Sequence, residues 1–161
     1  MTDQTPDASV FDSIDPVLKV VTAEIEISAP AEAVFELIAD PQRQPEWDGN
    51  DNLGSAADGQ RVRGTGDSFI TTLTKGVDRE NHIVDFAEGR LIAWKPSEVG
   101  GEPFGQKWVW EIEPIGEDSV LVRHVYDWTE LRDPQRLPRA QSTTAANLLA
   151  SLKRLKQLAE S

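Results

Sequence analysis

Apolar and polar positions change period several times along this chain, and each change marks an element. Over residues 18–27, Val21, Ala23, Ile25 and Ile27 alternate with Thr22, Glu24, Glu26 and Ser28, the period-two pattern of a half-buried strand. At Ser28-Ala29-Pro30 the spacing becomes helical. Pro30 falls in the first turn, where a missing N–H costs nothing, and Val34, Phe35, Leu37 and Ile38 make an apolar stripe. Asp40-Pro41 closes that helix, because a residue before proline avoids the helical region. A short helix or turn is predicted for residues 42–47. Gly54, Gly59, Gly64 and Gly66 punctuate the next stretch, where hairpin strands are expected near residues 50–56 and 60–64. Better-defined strands follow at residues 67–74, 79–86, 90–95, 106–113 and 119–128. Connectors such as Ala87-Glu88-Gly89 and Gly116-Glu117-Asp118 are short enough to favour antiparallel hairpins. Asp133-Pro134 reads as an N-cap and first-turn proline, and Pro138 delays the regular helix to residues 137–159.

That order gives an α+β domain. Residues 1–16 carry Asp3, Asp7, Asp12 and Asp15 with few bulky apolar side chains, and read as a flexible acidic tail ahead of a single domain over residues 17–161. A chain of 161 residues can bury one substantial core. No apolar run approaches the ~20 residues of a membrane span. The first residues lack a basic segment followed by an apolar one, so a cytoplasmic protein is expected.

Charge and motifs then exclude several classes. The net charge is -12, with no basic stripe of the kind that displaces counterions from phosphates. Neither nucleic acid nor stable association with an anionic membrane is expected. Lys153, Arg154 and Lys156 sit in the last turns of the final helix, where they complement its dipole and pair with Glu160. There is no cysteine, which removes disulfides, thiolate metal sites and a thiol nucleophile. Two histidines without a clustered carboxylate predict no metal site. No cofactor is predicted either: Gly64-Thr65-Gly66 neither ends in Lys-Ser/Thr nor precedes a helix, so it reads as hairpin geometry.

The final helix is uneven. Leu148, Leu149, Leu152, Leu155 and Leu158 give its second half a firm apolar face, whereas residues 141–147 are all small or polar. Small residues against a sheet leave space that something else must fill; an exposed first half is the alternative. In the strands, Trp108, Trp110 and Ile112 share one face, as do Val120, Val122, His124, Tyr126 and Trp128. A ligand cavity is therefore expected, lined by Trp47, His82, Trp94, Trp108, Trp110, Val122 and Trp128, with Thr144 and Leu148 from the helix. Ordinary core packing is the competing account of the tryptophans. His124 and Tyr126, two apart on one strand, could act as base and hydrogen-bond donor on one substrate; a hydrogen-bonded core histidine is the alternative. Arg79 and Arg90 could anchor a carboxylate, although both read as solvent-facing. Glu46, Asp48 and Asp51 around Trp47 read as an acidic rim unfavourable to anions.

Residues 23–47, with Ala29-Pro30, Val34-Phe35 and Asp40-Pro41 leading to Trp47, resemble the opening of the START-like (SRPBCC) superfamily. Ile92-Ala93-Trp94, residues 108–114 and residues 124–129 are similar to later strands of its polyketide cyclase/dehydrase-like branch. The resemblance implies a helix-grip fold, in which a seven-stranded antiparallel sheet curves around a long C-terminal helix in the order β-α-α-β-β-β-β-β-β-α, enclosing a deep apolar cavity. It implies binding of a hydrophobic or aromatic small molecule, lipid or polyketide-like. The alternatives are a polyketide cyclase, aromatase or dehydratase using His124 and Tyr126, and a protein-interaction module. Enzymatic activity and oligomeric state stay open at this level.

Overall fold

Short hairpins decide the sheet. A computed structural model describes residues 14–161, and the acidic segment expected as a tail lies almost wholly outside them. Seven strands form one antiparallel sheet: β1 Val20–Ile27, β2 Leu53–Ala56, β3 Ser68–Leu73, β4 Asp78–Ala87, β5 Leu91–Ser97, β6 Lys107–Gly116 and β7 Ser119–Asp127. Their order is β1-β7-β6-β5-β4-β3-β2, so β2 through β7 are sequential neighbours and β1 closes on β7. Helices α1 (Ala31–Ala39) and α2 (Gln44–Trp47) carry the chain from one edge of the sheet to the other, and α3 (Leu137–Ser142) and α4 (Ala145–Glu160) complete it. This is the helix-grip α+β arrangement, with α4 seated mainly over β1. No helix among the described residues is long and apolar enough to cross a membrane.

The core follows the periodicities. Val34, Phe35 and Ile38 of α1 and Leu152 and Leu155 of α4 meet Ile27, Ile112, Val120 and Val122 of the sheet, all buried. A second apolar cluster gathers Tyr126, Trp128, Leu131, Leu137, Ala140 and Leu148.

Two elements differ from the sequence pattern. Residues 60–64 do not form a strand. Instead the Gln60 amide accepts from the Ile70 N–H at 2.7 Å and donates to the Ile70 carbonyl at 3.0 Å, taking a partner strand's place beside β3. The buried Val62 donates its N–H to Ala39 O, and Arg61 bridges Glu36 and Glu88 at 3.0 and 2.7 Å. The segment's hydrogen bonds thus go to α1 and to side chains, not to a ladder.

The final helix is also interrupted. Thr143 and Thr144 are extended, and Thr144 starts α4 as N-cap of a capping box: its hydroxyl accepts from Asn147 N–H at 3.3 Å and its own N–H donates to Asn147 Oδ1 at 2.8 Å. The small, polar residues read as half of one helix are the joint between two.

The joint stands beside a polar clasp. Asn147 Nδ2 donates to Asn50 Oδ1 at 3.1 Å, and Asn50 Nδ2 returns a bond to Asn147 O at 2.9 Å. The Gly49 N–H donates to Ser151 Oγ at 3.0 Å. A Cβ on Gly49 would lie 2.5 Å from the Ala150 carbonyl carbon, which no real side chain tolerates. Gly49→Ala is therefore expected to cost about 1–3 kcal/mol or more through overpacking. Thr144→Ala is expected to cost about 1 kcal/mol through loss of the cap. Urea unfolding midpoints of the two variants check both values; a Gly49→Ala protein as stable as the parent would mean that α4 is not seated on this loop.

Candidate functional site

Between the concave face of the sheet and α3–α4 lies a cavity of about 580 Å³. Its floor is set by strand register. Trp94 of β5, Trp108 of β6 and Tyr126 of β7 are successive cross-strand neighbours, and in the next row Trp110 lies opposite His124. Direct neighbours on one face of an antiparallel pair touch. The Trp110 and His124 rings stack with centroids 3.6 Å apart, and those of Trp108 and Tyr126 are 4.2 Å apart. Trp47 meets Trp110 edge-to-face at 4.9 Å, held by its indole N–H, which donates to Leu37 O at 2.7 Å. Leu148, Thr143 and Arg139 face this floor from α4, the joint and α3.

The two residues singled out for acid–base work both line the cavity and are buried. His124 Nδ1 lies 2.8 Å from Val109 O. A carbonyl only accepts, so Nδ1 carries the proton and the neutral ring keeps its lone pair on Nε2. Burial pushes this imidazole down to about 4, opposed in part by the Val109 carbonyl. Burial pushes the Tyr126 phenol up to about 12, opposed by the charge of Arg139. At neutral pH the pair therefore offers one uncharged acceptor and one uncharged donor.

The remaining walls are more polar than the sequence suggested. Arg79 and Asn81 of β4, Thr71 of β3 and Gln106, Arg136 and Arg139 all line the cavity. Three buried polar atoms here have no hydrogen-bond partner: Trp110 Nε1, Gln106 Oε1 and Arg136 Nε. Such groups are rare in native interiors unless water or a ligand meets them. Asp48 is the one carboxylate in the lining, and its oxygens are taken by the N–H groups of Asn50, Asn52 and Leu53 at 3.0, 2.6 and 2.7 Å. The expected acidic rim is thus turned into the backbone, and Glu46 pairs with Arg43. Among the described residues no three His, Asp or Glu side chains gather as a metal site.

Trp47, Trp94, Trp108, Trp110 and Leu148 lie where the sequence placed them, against the cavity. Four others do not. His82 stands on the opposite face of β4, its Nε2 2.8 Å from the Ser97 hydroxyl. A bulge between Ile83 and Asp85 is the reason: one extra residue flips the alternation, so Phe86 points inward with the odd-numbered Asn81 and Ile83 rather than with His82. Val122 is fully buried between Ile25 and Ile112 under α4. Trp128 packs behind the cavity against Leu131 and Leu137. Thr144 is exposed and spends its hydroxyl as a cap. Arg79, read as solvent-facing, lines the cavity, whereas Arg90 is exposed away from it. The alternation Arg79, Asn81, Ile83 carried that signal. Arg136 and Arg139 carried none that a single sequence shows.

The sequence profile of the family described as polyketide cyclase / dehydrase and lipid transport matches residues 19–160. An uncharacterized protein of Mycobacterium tuberculosis is 28% identical over 110 residues, 67% of this chain and 47% of that protein. The chain thus spans about half the length of the curated relatives it matches. Among solved structures, a protein from Mesorhizobium loti superposes with a TM-score of 0.63 at 17% identity, covering 86% of this chain and 95% of that one. A START superfamily protein from Mycobacterium smegmatis gives 0.60 at 21%, covering 86% and 98%. Norcoclaurine synthase from Thalictrum flavum, in complex with dopamine and hydroxybenzaldehyde, gives 0.57 at 15%, covering 87% and 85%.

The buried imidazole has a consequence for stability. His124 titrates near 4 in the folded chain and near 6.5 when unfolded. Between those values the unfolded chain binds more protons, so stability rises with pH. The contribution is complete above about 6.5 and is lost as pH falls toward 4, at no more than about 1.4 kcal/mol per pH unit. In urea titrations across this window, the parent is expected to lose stability relative to His124→Phe as the solution is acidified. A difference independent of pH would show that the ring is not held neutral by burial.

Proposed function

The chain belongs to the START-like polyketide cyclase / dehydrase and lipid transport family, and on that footing we propose that its cavity holds a small molecule with an aromatic or otherwise apolar body. The observation that carries this reading is an interior space of about 580 Å³ floored by Trp94, Trp108 and Trp110. Sites for small molecules typically measure about 300–1,000 Å³ and combine apolar walls with a few placed polar groups. Flat indole faces favour planar or methylene-rich guests. The His124 lone pair and the Tyr126 hydroxyl supply an acceptor and a donor to orient a carbonyl or hydroxyl on the guest.

The cyclase reading, with His124 as base and Tyr126 as acid, draws less support from the same groups. General acid–base catalysis works best when the catalytic group titrates near the working pH. Burial carries these two away from neutrality in opposite directions. Both are better suited to hold a guest than to exchange protons with it.

Quenching of tryptophan emission by naphthol, a medium-chain alcohol and similar neutral probes tests the proposal. A saturable response is expected for at least one. Thr143→Phe, which places a ring at the cavity wall, is expected to weaken that binding roughly tenfold or more while changing stability by no more than about 0.5–1 kcal/mol. No response from any probe, or binding untouched by Thr143→Phe, would overturn the assignment.

A further inference from the structure

We propose that the wall of the cavity formed by β4, the loop before β6 and α3 is an anion subsite, so that the guest carries a carboxylate or phosphate at one end and lays its apolar body on the tryptophan floor. This rests on the cavity reading above and adds the chemical class of the ligand.

Asp and Glu outnumber Lys and Arg by 28 to 16 in this chain, yet the cavity lining reverses the balance. Among the described residues Lys75, Arg79, Arg136 and Arg139 face it, against Asp48 alone, whose oxygens are already committed to backbone N–H groups. Three arginines outside the cavity are paired: Arg61 with Glu36 and Glu88, Arg123 with Glu24 and Glu111, Arg43 with Glu46. Among the described residues, neither Arg79 nor Arg139 has a carboxylate within ion-pair distance. Arg136 approaches one only loosely, its Nε 3.7 Å from Asp133 Oδ2, and that N–H is buried without a hydrogen bond.

Geometry holds the cations together. The Arg136 and Arg79 guanidinium carbons lie 4.3 and 5.6 Å from the centre of the Phe104 ring. One aromatic face or edge thus gathers two like charges that would otherwise separate. Phe104 is itself anchored, its N–H donating to Pro96 O and its carbonyl accepting from Arg132 N–H, both at 3.1 Å. The neighbouring Gly105, at φ +121°, lets this loop lie against Glu130, because a Cβ there would fall 2.1 Å from the Glu130 carbonyl oxygen. Burial and the charge of Arg136 hold the Arg79 guanidinium below its usual range, opposed in part by the charge of Glu98. Arg79 spends one N–H on the Asp78 carbonyl at 3.1 Å, and its remaining donors, with the unbonded Arg136 Nε, are suited to a planar or tetrahedral oxyanion, which guanidinium forks bind bidentately.

The test compares naphthoic acid, its methyl ester and naphthyl phosphate, titrated by tryptophan emission at low ionic strength. The parent is expected to bind the acid roughly tenfold or more tightly than the ester. In Arg79→Gln/Arg139→Gln the two affinities should converge while the ester's is retained. In Arg63→Gln/Arg90→Gln, which removes the same charge from exposed positions outside the cavity, the preference should persist. The single Arg139→Gln change, at an exposed position, should narrow the ratio even if the double variant folds poorly. Tighter binding of the phosphate than of the acid would identify a phosphoryl group, and the reverse a carboxylate. Equal binding of acid and ester by the parent, or a preference unchanged in the arginine variants, would overturn the anion subsite and leave the cavity reading standing. No binding of any of the three would overturn both.

Discussion

The backbone of α4 rests directly on the backbone of the loop that follows α2, and a missing side chain makes this possible. At Gly49 even one methyl group would overlap the carbonyl of Ala150. Around that contact the loop and the helix exchange hydrogen bonds through Asn50, Asn147 and Ser151. Arg154 adds a bond to the Asp48 carbonyl. These fix the axis of α4 over β1 and the level at which it begins. The chain arriving through α3 comes from another direction, so the two helices cannot be collinear and must bend at Thr143-Thr144. Arg139, Thr143 and Leu148, from the two helices and the bend between them, line the hollow together with Trp108 and Tyr126.

The electrostatic division between outside and inside follows from which side chains reach which partners. Carboxylates crowd the outer surface, and there they find Arg43, Arg61 and Arg123. Exposed pairs of this kind contribute about 0–1 kcal/mol each, so they do little to hold the fold. Their effect is on distribution: Arg43, Arg61 and Arg123 are matched by carboxylates, while among the described residues Arg79 and Arg139 on the inner wall have no carboxylate within ion-pair distance. A strongly acidic protein can therefore present a positive surface to whatever enters it.

Much of this was legible in the sequence, and the rest was lost where a single residue, a side-chain hydrogen bond or a tertiary contact decided the structure. Strand and helix periods located β1 and α1, and the face shared by Trp108 and Trp110 identified the floor, because those signals are local and repeat several times. The pattern misled where one residue changed the period. The bulge after Ile83 turned His82 outward, and the two threonines before α4 looked like small residues on a continuous helix. Residues 60–64 looked like a strand because the side-chain amide of Gln60 can stand in for a backbone partner, which no periodicity reveals. The gathering of Arg79 with Arg136 and Arg139 joins positions more than fifty residues apart in sequence. Arg79 and Arg136 meet on the ring of Phe104, and that is a property of the tertiary arrangement alone.

The bulge in β4 also divides labour along a single strand. Before it, Arg79 and Asn81 belong to the cavity wall; after it, Phe86 belongs to the core and meets Phe35 of α1 edge-to-face with centroids 5.7 Å apart. On the proposed reading, a change at Arg79 would alter what the cavity takes while the Phe86–Phe35 contact stays in place, so the chemistry of a guest and the integrity of the fold would be set at opposite ends of ten consecutive residues.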